Sequence, residues 1–126
     1  MDRDEALSNI KPKLAAESDS ALDPGMATFQ FETLRPILKF QNAFFLRLAR
    51  QKLLPKYPDW QYFDDQKRRE LLSSWTTQDL GTKKTIEGSI IAFMTMAELD
   101  FYYEHEKEIQ KRIRAFVIER IRKGLE

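Results

Sequence analysis

Apolar residues along most of the chain recur at helical spacing, three or four positions apart. Nowhere do β-branched or aromatic residues alternate with polar ones over about five positions between turn residues, which is the pattern of a half-buried strand. At 126 residues the chain has the length of one domain. The pattern predicts an all-α fold: a compact bundle of about five helices with a long C-terminal helix.

The N-terminal region differs in pattern from the rest of the chain. Apolar residues at helical spacing predict a first helix from about Asp4 to Ala15, and Pro12 inside it predicts a kink. The following stretch "AESDSALDPG" is rich in turn-forming residues. Residues 1–26 are therefore predicted to form an N-terminal helix and loop arm, and residues 27–126 the core of the helical bundle.

The second helix is predicted to begin with Thr33 as its N-cap and to end near Leu54, before Pro55. Pro36 then lies in the first turn, where its missing N–H group costs no hydrogen bond. An earlier start at Thr28, with a kink at Pro36, is the alternative. The aromatic-rich turn "PKYPDWQYFDD" follows, and we expect it to pack against the core.

Three more helices are predicted after that turn. The third spans about Asp65 to Thr77 and the fourth about Thr82 to Met94, where Gly88 and Ala92 would allow another backbone to approach closely. The sequence "TMAE", starting at Thr95, matches a capping box. It predicts a long last helix, ending near Lys123 with Gly124 as its terminator.

The last helix carries acidic residues in its first half and basic residues in its second half, the order that the helix dipole favours. Two ion pairs of spacing i,i+4 are predicted along it, Glu108 with Arg112 and Glu119 with Lys123. The basic C-terminal end therefore has a structural explanation.

The composition argues against most catalytic chemistries. The chain has no cysteine, and its single histidine, His105, excludes the zinc and di-iron patterns that need several histidines. It contains no GxSxG sequence and no glycine-rich phosphate-binding loop. We therefore expect no metal, no cofactor and no catalytic residues, although twenty acidic residues leave a carboxylate pair open. No signal sequence or apolar run of about 20 residues is present, so the expected location is the cytoplasm, without membrane attachment.

Charge is almost balanced overall, at +1, but it is unevenly distributed. The stretch from Thr28 to Lys56 has six basic residues and one acidic residue, and Lys107 to Glu126 has seven and three. The favoured interpretation is that basic and acidic helices neutralise each other on packing, and the alternative is a basic patch facing a ligand. Nucleic-acid binding through the basic face of the second helix is disfavoured because no recognition motif accompanies it.

Gln41 interrupts an apolar helical face and is the first candidate for a ligand-binding residue. It falls near the middle of that face, so we expect it to be buried and to need a hydrogen-bond partner. Tyr102 and Arg120 on the last helix are the candidate partners. The favoured interpretation is a polar core contact, and the alternatives are a dimer seam or a ligand pocket with Arg35, Lys39 and Asn42 at its rim. The face itself consists of Leu34, Ile37, Leu38, Phe44, Phe45 and Leu48.

Two apolar residues are predicted to lie away from the core faces of their helices. Ile118 is nearly opposite the core face of the last helix, and Leu46 is well away from that of the second. If the chain itself covers neither, a partner must, and this predicts a homodimer or another protein contact.

The sequence "TLRPILKFQN", with "EGSIIAFMT" and "EIQKRIRAFVIERI" further on, resembles a family of small bacterial proteins without an established activity. The resemblance covers most of Phe29 to Ile121. Members are sometimes called glyoxalases, but glyoxalases are βαβββ metalloenzymes with His and Glu ligands, which this chain does not resemble. The resemblance implies an all-helical fold and brings no catalytic residues.

The sequence thus favours a non-catalytic protein-interaction or homodimerising module with an unidentified protein partner. The alternative is a small-ligand binder or enzyme with a helical pocket near Gln41. The further alternative is a nucleic-acid-binding protein.

Overall fold

The computed structural model describes residues 2–10 and 24–126, and within these ranges the chain consists of helices joined by short turns, without a strand. The all-α prediction is confirmed. No helix in the described ranges has the length and apolar character needed to cross a membrane. The helices are α1 (Arg3–Ile10), α2 (Pro24–Phe29), a π-helix (Gln30–Leu34), α3 (Arg35–Phe40), α4 (Asn42–Lys52), two 3₁₀ turns (Leu54–Lys56 and Trp60–Tyr62), α5 (Asp65–Gln78), α6 (Leu80–Ile91), α7 (Met96–Glu104) and α8 (Glu106–Gly124).

The first helix packs onto the bundle through its polar and apolar sides. An Nη atom of Arg3 donates to the Ala92 carbonyl at 2.8 Å, and Asp4 accepts the Met96 amide at 3.3 Å. Leu7 is buried. α1 is therefore held against the junction between α6 and α7. The predicted continuation to Ala15 with a kink at Pro12, and most of the loop after it, lie outside the described residues.

The predicted start of the second helix at Thr33 is wrong. Helical structure already begins at Pro24, and Thr33 is buried inside the π-helix rather than capping a helix. The π-helix ends at Leu34, two residues before Pro36, and the Arg35 amide donates to the Gln30 carbonyl. A proline ring would clash with the carbonyl four residues earlier, and the wider π turn relieves that crowding. Pro36 is thus accommodated without ending the helix.

Two helices that the sequence predicts as continuous are divided by one residue each. Gln41 separates α3 from α4 with φ −92° and ψ 5°, and His105 separates α7 from α8 with φ −124° and ψ 32°. Apolar periodicity continues across both residues, so it does not reveal the breaks. The bundle therefore has more and shorter helices than predicted.

Local signals placed the other helix ends well. α5 begins after the N-cap Asp64 and ends one residue beyond the prediction. The capping box of α7 is confirmed, with Thr95 and Glu98 bonding each other's backbone amides. α6 begins two residues earlier than predicted because Asp79 caps it by accepting the Thr82 amide.

The predicted close backbone approach at Gly88 is wrong, since nothing lies within 4 Å of a Cβ built there. The close approach occurs at Gly124 instead. A Cβ at this position would lie 2.3 Å from a Cδ atom of Leu46. Gly124 is the last residue of α8, so the absence of a side chain lets the end of α8 settle against α4.

One apolar core lies between α2, α3, α4 and the later helices. The aromatic turn contributes to it as expected, because Trp60 is buried and Tyr57 and Phe63 pack against the core, although Tyr62 is exposed. The fully buried side chains with the largest volumes are Met26, Leu34, Ile37, Leu38, Phe45, Leu53, Leu72, Ile86, Ile90, Met94, Tyr102 and Ile109.

Leu46 and Ile118 are both half-buried within the chain. Ile118 packs against the core, and Leu46 lies against the end of α8. The condition for the homodimer argument, that the chain covers neither residue, is therefore not met, and the homodimer stays a prediction.

Candidate functional site

Gln41 is half-buried rather than fully buried, and it bonds to another helix. Its Nε2 atom donates to the Ser89 carbonyl at 2.9 Å. Ser89 lies near the end of α6, where carbonyls lose their helical partners. The Phe93 amide, which would reach Ser89 if α6 continued, donates to the Ile90 carbonyl instead. Gln41 therefore caps the C-terminal end of α6, and its amide nitrogen already donates one hydrogen bond within the chain.

Neither of the two predicted partners, Tyr102 and Arg120, accepts this hydrogen bond from Gln41. Tyr102 is buried, and its hydroxyl accepts a hydrogen bond from Gln110 Nε2 at 2.9 Å. Arg120 is half-buried, and the described residues form no ion pair with it. Burial lowers the pKa of Arg120, and the nearby charge of Arg35 lowers it further. The structure thus brings Arg35 and Arg120 near each other, away from Gln41's hydrogen bond.

The remaining predicted rim residues lie on the α3–α4 segment. Arg35 is half-buried, with its guanidinium 6.0 Å from the centre of the Phe31 ring. Lys39 is exposed and Asn42 is half-buried. Among the six predicted site residues, the structure brings Arg35 and Arg120 near each other, while Gln41 bonds to Ser89 and Tyr102 bonds to Gln110.

The solvent side of α3 and α4 carries two exposed phenylalanines one turn apart. Phe40 is 43% exposed and Phe44 is 39% exposed. The ring of Phe40 contacts the half-buried Phe93 ring, with centroids 5.1 Å apart. Large side chains of this kind are usually buried in a monomeric protein. The pair extends the aromatic surface of Phe93 to the outside of the molecule.

Exposed cations surround these rings. Lys39 precedes Phe40, and Arg47 and Arg50 follow Phe44 by one and two turns. The described residues provide no carboxylate partner for any of the three. We call the surface of Lys39, Phe40, Phe44, Arg47 and Arg50 the aromatic–basic face.

Two arginines of α8, in contrast, form ion pairs with carboxylates of the chain. Arg112 pairs with Glu108 at 2.9 Å, as predicted. Arg122 pairs with Glu119 at 2.9 Å and with Asp65 of α5 at 3.0 Å. The predicted Glu119–Lys123 pair is replaced by this contact. Neutralisation between packed helices therefore occurs at Arg122, through Asp65 of α5, and the described residues provide no such pair on the aromatic–basic face.

Sequence reasoning missed the two phenylalanines as surface residues. The predicted core face includes both Phe44 and Phe45. Phe45 is buried as predicted, whereas Phe44, at the edge of that face, is 39% exposed. The available signal is the pairing of Phe40 and Phe44, four residues apart, with flanking cations.

Comparison with known protein families, with curated proteins and with solved structures gives no match to this chain. The geometry described above therefore carries the functional argument by itself.

Proposed function

We propose that this protein is a non-catalytic interaction module that binds an acidic, partly apolar segment of another protein on its aromatic–basic face. The observation that carries the proposal is the exposure of Phe40 and Phe44 among cations without ion-pair partners in the described residues. Aromatic residues and arginine are enriched where proteins contact each other, and they contribute most of the binding energy there.

The charge of the face favours an acidic protein partner. Three positive charges lie on it, whereas the whole chain has a net charge of +1. A second copy docked on the same face would bring these like charges together, which argues against a homodimer through this surface. Nucleic acid is the weaker candidate, since binding to phosphates draws on a larger basic surface than three residues on a nearly neutral protein.

Photo-crosslinking in the native host tests the proposal. Ala43 is exposed between Phe40 and Phe44, so a benzophenone amino acid at position 43 would report on contacts of the face. The matched control carries the same amino acid at Ser73, which is exposed on α5. We expect position 43, and not position 73, to give a discrete crosslinked protein whose labelled peptide is rich in Asp and Glu.

The charge contribution is tested by combining the crosslinker with Lys39→Glu and Arg47→Glu. These substitutions should abolish the crosslink, because they turn attraction for an acidic segment into repulsion. Nuclease treatment before capture should leave it unchanged. A product that disappears with nuclease would establish the nucleic-acid alternative, and a product consisting only of two copies of this chain would contradict the proposed partner.

A further inference from the structure

An open pocket lies on another part of the molecule, between the π-helix and α7. It has a volume of about 510 Å³. Its wall includes Phe29, Glu32 and Thr33 on one side and Ala97, Glu98 and Phe101 on the other. The volume falls within the range of pockets that hold small organic molecules, about 300–1,000 Å³.

The π-helix shapes one wall of this pocket. Glu32 and Thr33 follow Phe29 by three and four residues, a spacing that places all three on the side that faces α7. Short π segments inside α-helices occur frequently at functional sites. The buried Thr33 hydroxyl donates to the Glu98 carboxylate, which connects the two walls.

Aromatic surface and negative charge meet in this pocket. The rings of Phe29 and Phe101 stack directly on each other in its wall, with centroids 4.8 Å apart and planes inclined by 27°. Glu32 is exposed, and the described residues form no ion pair with it. The Glu98 carboxylate already accepts hydrogen bonds from the Thr33 hydroxyl and the Thr95 amide. Glu32 is therefore the carboxylate that a cationic ligand would meet. None of the described lining residues is basic.

A second pocket shows the contrast. It has a volume of about 270 Å³ and lies beside α5, and its charged lining residues, Lys56 and Asp79, face each other at 3.9 Å. That pocket already contains a balanced pair of charges. In the larger pocket, no described lining residue supplies a positive charge to pair with Glu32.

We infer that the pocket between the π-helix and α7 binds a small organic ammonium ion with an apolar, preferably aromatic, body. The ammonium group would lie at Glu32, and the apolar body would lie against Phe29 and Phe101. The half-buried Phe101 offers apolar surface to the body of the ligand, and the exposed Glu32 carboxylate attracts its ammonium group, so both parts of the ligand have a complementary partner. This site is separate from the aromatic–basic face and does not depend on the proposed protein interaction.

Three probes that share a phenyl ring and differ in charge test the inference: 2-phenylethylamine, 2-phenylethanol and 3-phenylpropionate. Titration of ¹⁵N-labelled protein, followed by ¹H–¹⁵N correlation spectra, should give saturable shifts for amides of Phe29 to Thr33 and Ala97 to Phe101. The amine should bind most tightly and the propionate most weakly. Ala97 is exposed on the pocket wall, so the larger side chain of Ala97→Leu should obstruct the pocket and weaken the shifts.

Charge at Glu32 is tested with a matched pair of variants. Glu32→Gln should weaken amine binding about two- to fivefold, the range for an exposed ion pair, and leave the alcohol unaffected. Glu70→Gln removes the same charge from an exposed position on α5 and should change neither. The inference is overturned if no probe gives saturable shifts in the pocket, if the alcohol or the propionate binds as tightly as the amine, or if both variants have equal effects.

Discussion

The hydrogen bond from Gln41 to Ser89 predicts a specific loss of stability when the amide nitrogen is replaced. Gln41→Glu keeps the size and shape of the side chain but exchanges the N–H donor for a carboxylate oxygen. That oxygen would face the Ser89 carbonyl at a distance now spanned by a 2.9 Å hydrogen bond. It would also place a negative charge at the C-terminal end of α6, the negative end of the helix dipole.

The magnitude follows from these contributions. Loss of a hydrogen bond costs about 0.5–1.5 kcal/mol, and the half-buried position keeps the value in that range. The unfavourable helix-dipole interaction adds about 0.3–1 kcal/mol. We expect Gln41→Glu to lower the free energy of unfolding by about 1–2.5 kcal/mol. Gln41→Met, which loses the bond without adding charge, should cost about 0.5–1.5 kcal/mol.

Urea denaturation followed by circular dichroism measures these changes, and a thermal scan should show a fall in Tm of about 3–5 °C per kcal/mol. Gln51→Glu is the matched control, because Gln51 is exposed on the same helix. It should stay within about 0.5 kcal/mol of the parent protein. If Gln41→Glu is no more destabilising than Gln51→Glu, the reasoning that Gln41 caps α6 is refuted.

Three further predictions concern other helix contacts. Gly124→Ala should lower the free energy of unfolding by about 1–2 kcal/mol, because its Cβ would overlap Leu46. Adding Leu46→Ala to this variant should remove most of the additional cost. If the two substitutions have additive effects in urea denaturation, the contact is contradicted. The Thr82 amide lowers the pKa of Asp79 in the folded protein. The contribution of the Asp79 carboxylate to stability should therefore be present above its unfolded pKa and decline as pH falls through its folded pKa. An NMR titration that gives an unshifted pKa for Asp79 would contradict this. Burial raises the pKa of Tyr102. The contribution of Tyr102 to stability should therefore be present below its unfolded pKa and be lost as pH rises through its folded pKa. Phenolate absorbance that shows every tyrosine titrating in its ordinary range would contradict this prediction.

Sequence signals that act over one helical turn predicted their part of the fold well. The Thr95–Glu98 capping box and the start of α5 depend on side chains within three residues of the helix end. The buried faces of α6 and α8 were also predictable, since Ile86, Ile90 and the apolar residues of α8 recur at helical spacing.

Features that depend on tertiary contacts were not predictable in the same way. The break at Gln41 is supported by Ser89, which lies 48 residues away in sequence. The π-helix before Pro36 is accompanied by hydrogen bonds from Arg112 to Gln30 and from Thr33 to Glu98, across distant helices. A periodic pattern contains no information on these partners. Phe44 lies at the edge of the predicted apolar face, where periodicity alone does not decide whether a side chain is covered.

The aromatic–basic face is the central functional claim, and it is tested most directly by comparing two aromatic substitutions in the position-43 crosslinking experiment. Phe44→Ala removes an aromatic ring from the face, whereas Tyr62→Ala removes one that is 87% exposed elsewhere on the surface. We predict that Phe44→Ala reduces the yield of crosslinked partner at least about tenfold, the effect of a residue that dominates an interface, and that Tyr62→Ala leaves it unchanged. Equal yields from the two variants would contradict the claim.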